Sequence, residues 1–355
     1  MRQIAQRTYR RFALALLMAP LVLAIAVADA QEAVTPIQVC ATVSDLGSLA
    51  HEVGGDQVSV TVFAKGTEDA HFIEAKPSFI KALSQCDLYL QVGMDLEIGW
   101  APVLLQNARN GAVLPGARGY IDVSRVISPL EVPSGPVDRS MGDVHPLGNP
   151  HYLLDPLNGL KVARLIRDKL VDLRPDRKPY FEDRYISFNL KLGTALVGEK
   201  LAKKYDAEKL ALLYEHGKLA PFLKGQGEAS LLQGWLGRML PHFGTKVVAD
   251  HNLWPYFARQ FGIAVIGFME PKPGIPPTTK HLGTLVDLMR AERVGAVLTV
   301  SFYDPRHARF ISQQTGARVV NLAHQVGARD GTDDYLAMID YNVREMAAAL
   351  AQQQR

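Results

Sequence analysis

At 355 residues the chain is long enough for about two domains, and either could bury a full core. With 48% hydrophobic and 21% charged residues, a largely disordered chain and a multi-span membrane protein are both excluded. The formal charge of +3 is concentrated in Arg2, Arg7, Arg10 and Arg11; without these and Asp29 there remain 35 basic and 35 acidic residues. A neutral body has no electrostatic reason to seek nucleic acid, so no nucleic-acid partner is expected.

The four arginines precede the apolar stretch Phe12 to Val27 and then Ala28-Asp29-Ala30, a small-x-small pattern. This reads as a signal peptide over residues 1–30. A run of 16 interrupted by Pro20 is shorter than the roughly 20 residues a bilayer-spanning helix needs. No cysteine stands just after the expected cleavage site, so a lipid anchor is not expected and the destination is a bacterial periplasm. In that oxidising compartment Cys40 and Cys86 either pair or remain two buried thiols; sequence alone leaves both open, and without CxxC spacing a thiolate metal site is not expected.

From Ile37 onward β-branched runs alternate with helical patterns. Strands are expected at Ile37–Val43, Val58–Phe63 and Leu88–Val92, with helices around Leu46–Val53 and Pro77–Leu83. A second series follows: strands at Lys246–Ala249, Ala264–Gly267, Ala296–Val300 and Arg318–Asn321, with helices at Trp254–Phe261, Thr278–Arg290 and Arg306–Thr315. Alternation of this kind implies an α/β fold with parallel sheets, here in two lobes. Between them Phe181, Tyr185, Phe188, Leu192 and Leu196 recur at three- and four-residue steps. One long amphipathic helix is expected over 179–205, joining an N-terminal lobe over 31–178 to a C-terminal lobe over 206–355. Residues 206–244 read as further helix broken near Gly225–Gly227 and Gly234–Gly237.

No P-loop, GxGxxG, HExxH, GxSxG or CxxC pattern is present. Three of the ten histidines instead follow a strand or open a helix: His71 after Val58–Phe63, His151 ahead of Asp155-Pro156, and His251 directly after Lys246–Ala249. Ligands of open α/β sheets bind beyond the carboxyl ends of strands, so such loops from two lobes can meet at one point. Imidazole is a common zinc ligand, but separations of 80 and 100 residues are no compact metal signature.

The flanking residues carry more information. Gly66-Thr67-Glu68-Asp69-Ala70-His71, Val92-Gly93-Met94-Asp95-Leu96-Glu97, Gly148-Asn149-Pro150-His151, Asp250-His251 with Tyr256-Phe257, and Glu270-Pro271-Lys272-Pro273-Gly274 together resemble the metal-binding receptors of ABC importers for zinc and manganese. Family members typically read Gly-x-x-Asp-Pro-His at the first motif, where this chain has Ala70 in place of proline. The resemblance covers about residues 35–350. It implies two lobes joined by a rigid helix, with His71, His151 and His251 as metal ligands. For the fourth ligand, members often carry an aspartate ahead of Asp-x-Tyr; here Ala323 or His324 stands there, and His324 is the expected ligand. His145 is given an accessory role at most. The remaining histidines are expected to be structural or solvated.

The function so implied is a periplasmic substrate-binding protein, not an enzyme and expected as a monomer, that carries a divalent metal to an inner-membrane ABC permease. A histidine-rich shell favours Zn2+ over Mn2+, which prefers oxygen. The competing reading is a secreted zinc hydrolase with an open coordination position, which would need a general base beside the metal.

Overall fold

The computed structural model describes residues 35–137, 142 and 144–353; the expected signal peptide lies outside the described residues. Among the described residues eight strands form two four-stranded, wholly parallel sheets. The first contains β1 (Ile37–Val43), β2 (Val58–Ala64), β3 (Leu88–Gln91) and β4 (Tyr120–Asp122), in the order β2-β1-β3-β4. The second repeats that order with β5 (Lys246–Ala249), β6 (Ala264–Phe268), β7 (Ala296–Thr299) and β8 (Arg318–Asn321), running β6-β5-β7-β8. In each sheet the chain winds one way and then the other from its first strand, and at such reversal points crevices open beyond the carboxyl ends.

Central strands are apolar on both faces because helices cover both. In β1 every residue except Gln38 is buried. Helices α1 (Ser44–Gly54), α2 (Pro77–Ser84) and α3 (Ala101–Ala108) belong to the first sheet, and α10 (Pro255–Phe261), α11 (Thr279–Glu292) and α12 (Pro305–Thr315) to the second. The three-residue strand β4 is absent from the sequence expectations, since so short a piece shows no alternation. Cys40 and Cys86 are buried free thiols, and Cys86 Sγ donates to the Leu88 carbonyl at 3.0 Å.

Helix α4 (Pro156–Leu173), capped by the Asp155 carboxylate accepting from Leu157 N, leads into the connecting helix α5 (Lys178–Val197). Its buried residues include all five of the expected apolar stripe, Phe181, Tyr185, Phe188, Leu192 and Leu196. The continuous helix expected to about 205 ends sooner. At Gly198 the backbone turns to φ +87°, a conformation that favours glycine, and a Cβ there would strike Gln233. A separate short helix, α6 (Glu199–Lys204), follows, so the rigid element is 20 residues, roughly 30 Å long. Helices α7 (Ala207–Glu215), α8 (Leu219–Gly225) and α9 (Gly234–Met239) complete the insertion. Gly234, expected to break a helix, begins α9 at φ +64°.

Helix α5 grips the first lobe through Arg184 Nε to the Glu52 carbonyl (2.8 Å) and Lys191 to the Glu52 carboxylate (2.6 Å). One apolar core runs from Ile37 to Leu350 through both lobes and α5. The C-terminal helix α13 (Tyr335–Gln353) closes the molecule. Tyr335 OH donates to the Leu153 carbonyl (2.6 Å), and Tyr335 N donates to Ser48 Oγ (3.0 Å). Tyr256 OH accepts from Leu130 N and donates to the Asn149 carbonyl, both at 2.9 Å, and Arg259 reaches Asp155 at 3.2 Å. Lobes joined by a shared core and buried cross-bonds resist a wide hinge. Solution scattering curves with and without zinc are therefore expected to superimpose, and a large compaction on loading would show that the lobes hinge.

Candidate metal centre

The loops beyond the carboxyl ends of both sheets bring histidines from distant sequence together. His71 lies after β2, His251 directly after β5, and His151 precedes α4. Their ring centroids stand 5.4 Å (His71 to His151), 6.1 Å (His71 to His251) and 5.8 Å (His151 to His251) apart. His145 joins them, 5.2 Å from His71 between centroids. Imidazoles bound to one tetrahedral zinc at about 2.0–2.1 Å would place their centroids about 5 Å apart. The observed ring is slightly wider. Among the described residues no group of three or more His, Cys, Asp or Glu side chains is spaced, as it stands, to hold a metal ion.

Each loop is anchored from behind. His71 Nδ1 faces the Asp69 carboxylate at 2.7 Å, and Trp100 Nε1 donates to the Ala70 carbonyl at 2.9 Å. His251 Nδ1 faces Glu270 Oε2 at 2.6 Å, while Gly274 N donates to the same oxygen at 3.0 Å. A carboxylate behind an imidazole holds the proton on Nδ1 and turns the Nε2 lone pair inward, the arrangement that orients metal-binding histidines. Before His151, Asn149 Oδ1 accepts the His151 N–H at 3.0 Å, and Asn149 Nδ2 donates to the Asn252 carbonyl of the second lobe at 2.9 Å. Glu97 supports the neighbouring turn: buried, it accepts from Thr42 Oγ1 (2.6 Å), Val92 N (2.7 Å) and Gly93 N (3.0 Å).

His324 lines a small cavity with Asp69, His71 and His151, but its ring contacts Phe302 (4.7 Å between centroids) and its Nε2 donates to the Glu68 carbonyl at 3.1 Å. Its buried Nδ1 has no hydrogen-bond partner. Elsewhere, His281 donates to the Phe268 carbonyl at 3.0 Å, in keeping with a structural role. The orienting roles of Asp69 and Glu270 were not assigned from sequence, although both lie inside quoted motifs.

Burial, reinforced by His71 and His251, lowers His145 to about 4, and burial alone is the main cause that lowers His324 to about 4. An unfolded histidine titrates near 6.5. The folded state thus binds fewer protons between those values, so the contribution of His324 is full above pH 6.5 and lost as pH falls towards 4. Asp45, Glu97 and Asp250, raised to about 7 by burial, act in the opposite sense over much of the same range. The clean comparison is therefore between wild type and His324→Gln. The stability difference between them is expected to move by at most roughly 3 kcal/mol in favour of the variant between pH 7 and pH 4.5, measured by thermal unfolding.

Comparison with known families decides the affiliation. The family described as zinc-uptake complex component A, periplasmic, matches residues 39–216 and 233–349. The chain belongs to this family. Among its relatives, the manganese ABC transporter substrate-binding lipoprotein PsaA of Streptococcus anginosus is 23% identical over 322 residues, covering 89% of each chain. The manganese-binding lipoprotein MntA of Halalkalibacterium halodurans is 23% identical over 319 residues, again covering 89% of each. A crystal structure of ZnuA superimposes with a TM-score of 0.65 at 21% identity, covering 89% of this chain and 99% of that one. A Mn-bound point mutant of the periplasmic metal binding protein of candidatus liberibacter asiaticus gives 0.62 at 17% identity, covering 88% and 98%. These likenesses confirm the two-lobed fold with its connecting helix. The chain is a metal-binding, extracytoplasmic receptor of an ABC importer and works with a membrane permease. Among the described residues no helix is long and apolar enough to cross a membrane.

Proposed function

We propose that the cargo is Zn2+, held between the lobes by His71, His151 and His251. The observation that carries this reading is the placement of the carboxylates: Asp69 and Glu270 lie behind the rings at Nδ1. The inward-facing donors are thus nitrogens, which suit zinc, whereas manganese prefers oxygen. Relatives named for manganese share the fold, so the donor set rather than the family argues for the metal. The lobes are assigned to 31–178 and 206–355, with the segment between them as connector. The chain acts without catalysis, since the carboxylates nearest the ring orient imidazoles instead of standing free as a general base.

We further propose that the mature protein is soluble in the periplasm after loss of residues 1–30. Elemental analysis of the exported protein is expected to show one zinc per chain, with zinc displacing manganese in competition and an N-terminus at Gln31. Preferential retention of manganese would overturn the zinc assignment.

A further inference from the structure

We propose that His145 is the fourth metal ligand, so that four imidazoles close on the ion, and that His324 is a positioning residue for the His71 loop. This rests on the receptor reading above and deepens it. The key contact is between His145 Nε2 and His71 Nε2, 3.1 Å apart. The Asp69 carboxylate can only accept, so it keeps the His71 proton on Nδ1 and leaves a lone pair on Nε2. The Met94 backbone carbonyl lies against the His145 ring, and with Nε2 turned to His71 it favours a proton on Nδ1. Two lone pairs therefore face each other. Neutral imidazoles in these tautomers have no proton to share and repel at that distance. A cation between them removes the conflict, and two nitrogens on one tetrahedral zinc would lie about 3.3 Å apart.

The surroundings agree. His145 lines a cavity of about 280 Å³ together with His151 and His251, and a second of about 640 Å³ together with His71. It thus stands between both openings and the centre of the ring. Met94, the acceptor behind His145, has φ +52° in the turn that Glu97 secures through Val92 N and Gly93 N. The motif Val92 to Glu97 accordingly presents an orienting carbonyl to His145, as Asp69 and Glu270 present carboxylates to His71 and His251. His324 also donates to a backbone carbonyl, that of Glu68 next to Asp69, and its Nδ1 is unpartnered, but its ring packs edge-on against Phe302 whereas the His145 ring meets His71. Its role is to fix the loop that carries His71. A shell of four nitrogens and no oxygen also sharpens discrimination against manganese.

The test compares His145→Ala, His324→Ala and His251→Ala in the full chain by chelator competition with zinc and with manganese. His145→Ala is expected to lose at least the roughly 10–100-fold in zinc affinity that removing an orienting partner costs. It should also show a narrowed zinc-to-manganese ratio, and added free imidazole should restore binding by filling the vacated position. His324→Ala is expected to melt at lower temperature but keep the zinc-to-manganese ratio and show no imidazole rescue. Undiminished zinc affinity in His145→Ala, or imidazole rescue in His324→Ala instead, would overturn the proposal while leaving the three-histidine receptor standing, provided His251→Ala loses zinc. If His251→Ala also retains zinc, the receptor site itself fails.

Discussion

Replacing His251 with alanine is expected to weaken zinc binding on the order of 100-fold, with the fold retained. The size follows from dividing an apparent structural-zinc binding free energy of about 10–16 kcal/mol over four ligands, which gives roughly 3 kcal/mol for each. The fold should survive because the loop has other anchors. Asp250 accepts from Val300 N and His251 N, both at 2.8 Å, and Glu270 N donates to the Asp250 carbonyl at 3.1 Å, none of which needs the imidazole. Glu270 would keep its bond from Gly274 N. His71→Ala and His151→Ala should behave alike. Chelator competition measures the loss, and thermal unfolding of the metal-free variants checks the fold. Full zinc affinity in all three would sink the site.

Much of this was legible because the signals are local. β1, β5 and β8 have the limits their apolar runs suggest, and the stripe from Phe181 to Leu196 marks the buried face of α5. The end of that helix was not legible: the backbone turns at Gly198 to φ +87°, and Gln233 N, from across the fold, donates to the Val197 carbonyl at 3.2 Å. The site divides the same way. His71, His151 and His251 stand out through their motifs, and the structure brings their ring centroids within 6.1 Å of one another. The relation of His145 to His324 depends on which imidazole nitrogen is already engaged. That is set by the carbonyls of Met94 and Glu68, 51 and 256 residues away in sequence from the histidines they meet. No spacing rule reports such a choice. The strand β4 was missed for another reason: Tyr120–Asp122 is only three residues long, and its partner β3 supplies the register.

Gly66 opens the His71 motif, and its substitution is the second change with a large expected effect. A Cβ at Gly66 would land on the Val326 carbonyl oxygen and press against Gly327 and Ala328 backbone. That backbone has little freedom to give. Val326 N donates to the buried Asp45 carboxylate at 2.9 Å, and Ser44 Oγ donates to the Val326 carbonyl at 2.7 Å. Each contact joins the first lobe to the loop after β8, so moving Val326 would disturb a buried carboxylate that burial has already raised to about 7. The His71 loop would have to shift instead. Overpacking of this kind typically costs about 1–3 kcal/mol, and a clash with fixed backbone belongs at the upper end. The shift also carries Glu68 and Asp69, which engage His324 and His71. Gly66→Ala is therefore expected to lower stability by about 3 kcal/mol and zinc affinity by roughly tenfold, the low end of what loss of an orienting partner costs. Gly135, with nothing within 4 Å of its Cβ position, is the matched control, and Gly135→Ala should leave both unchanged. Thermal unfolding and chelator competition on the two variants decide the matter; a Gly66→Ala protein that melts and binds as the wild type does would mean that the lobes do not meet as closely at Val326 as the structure places them.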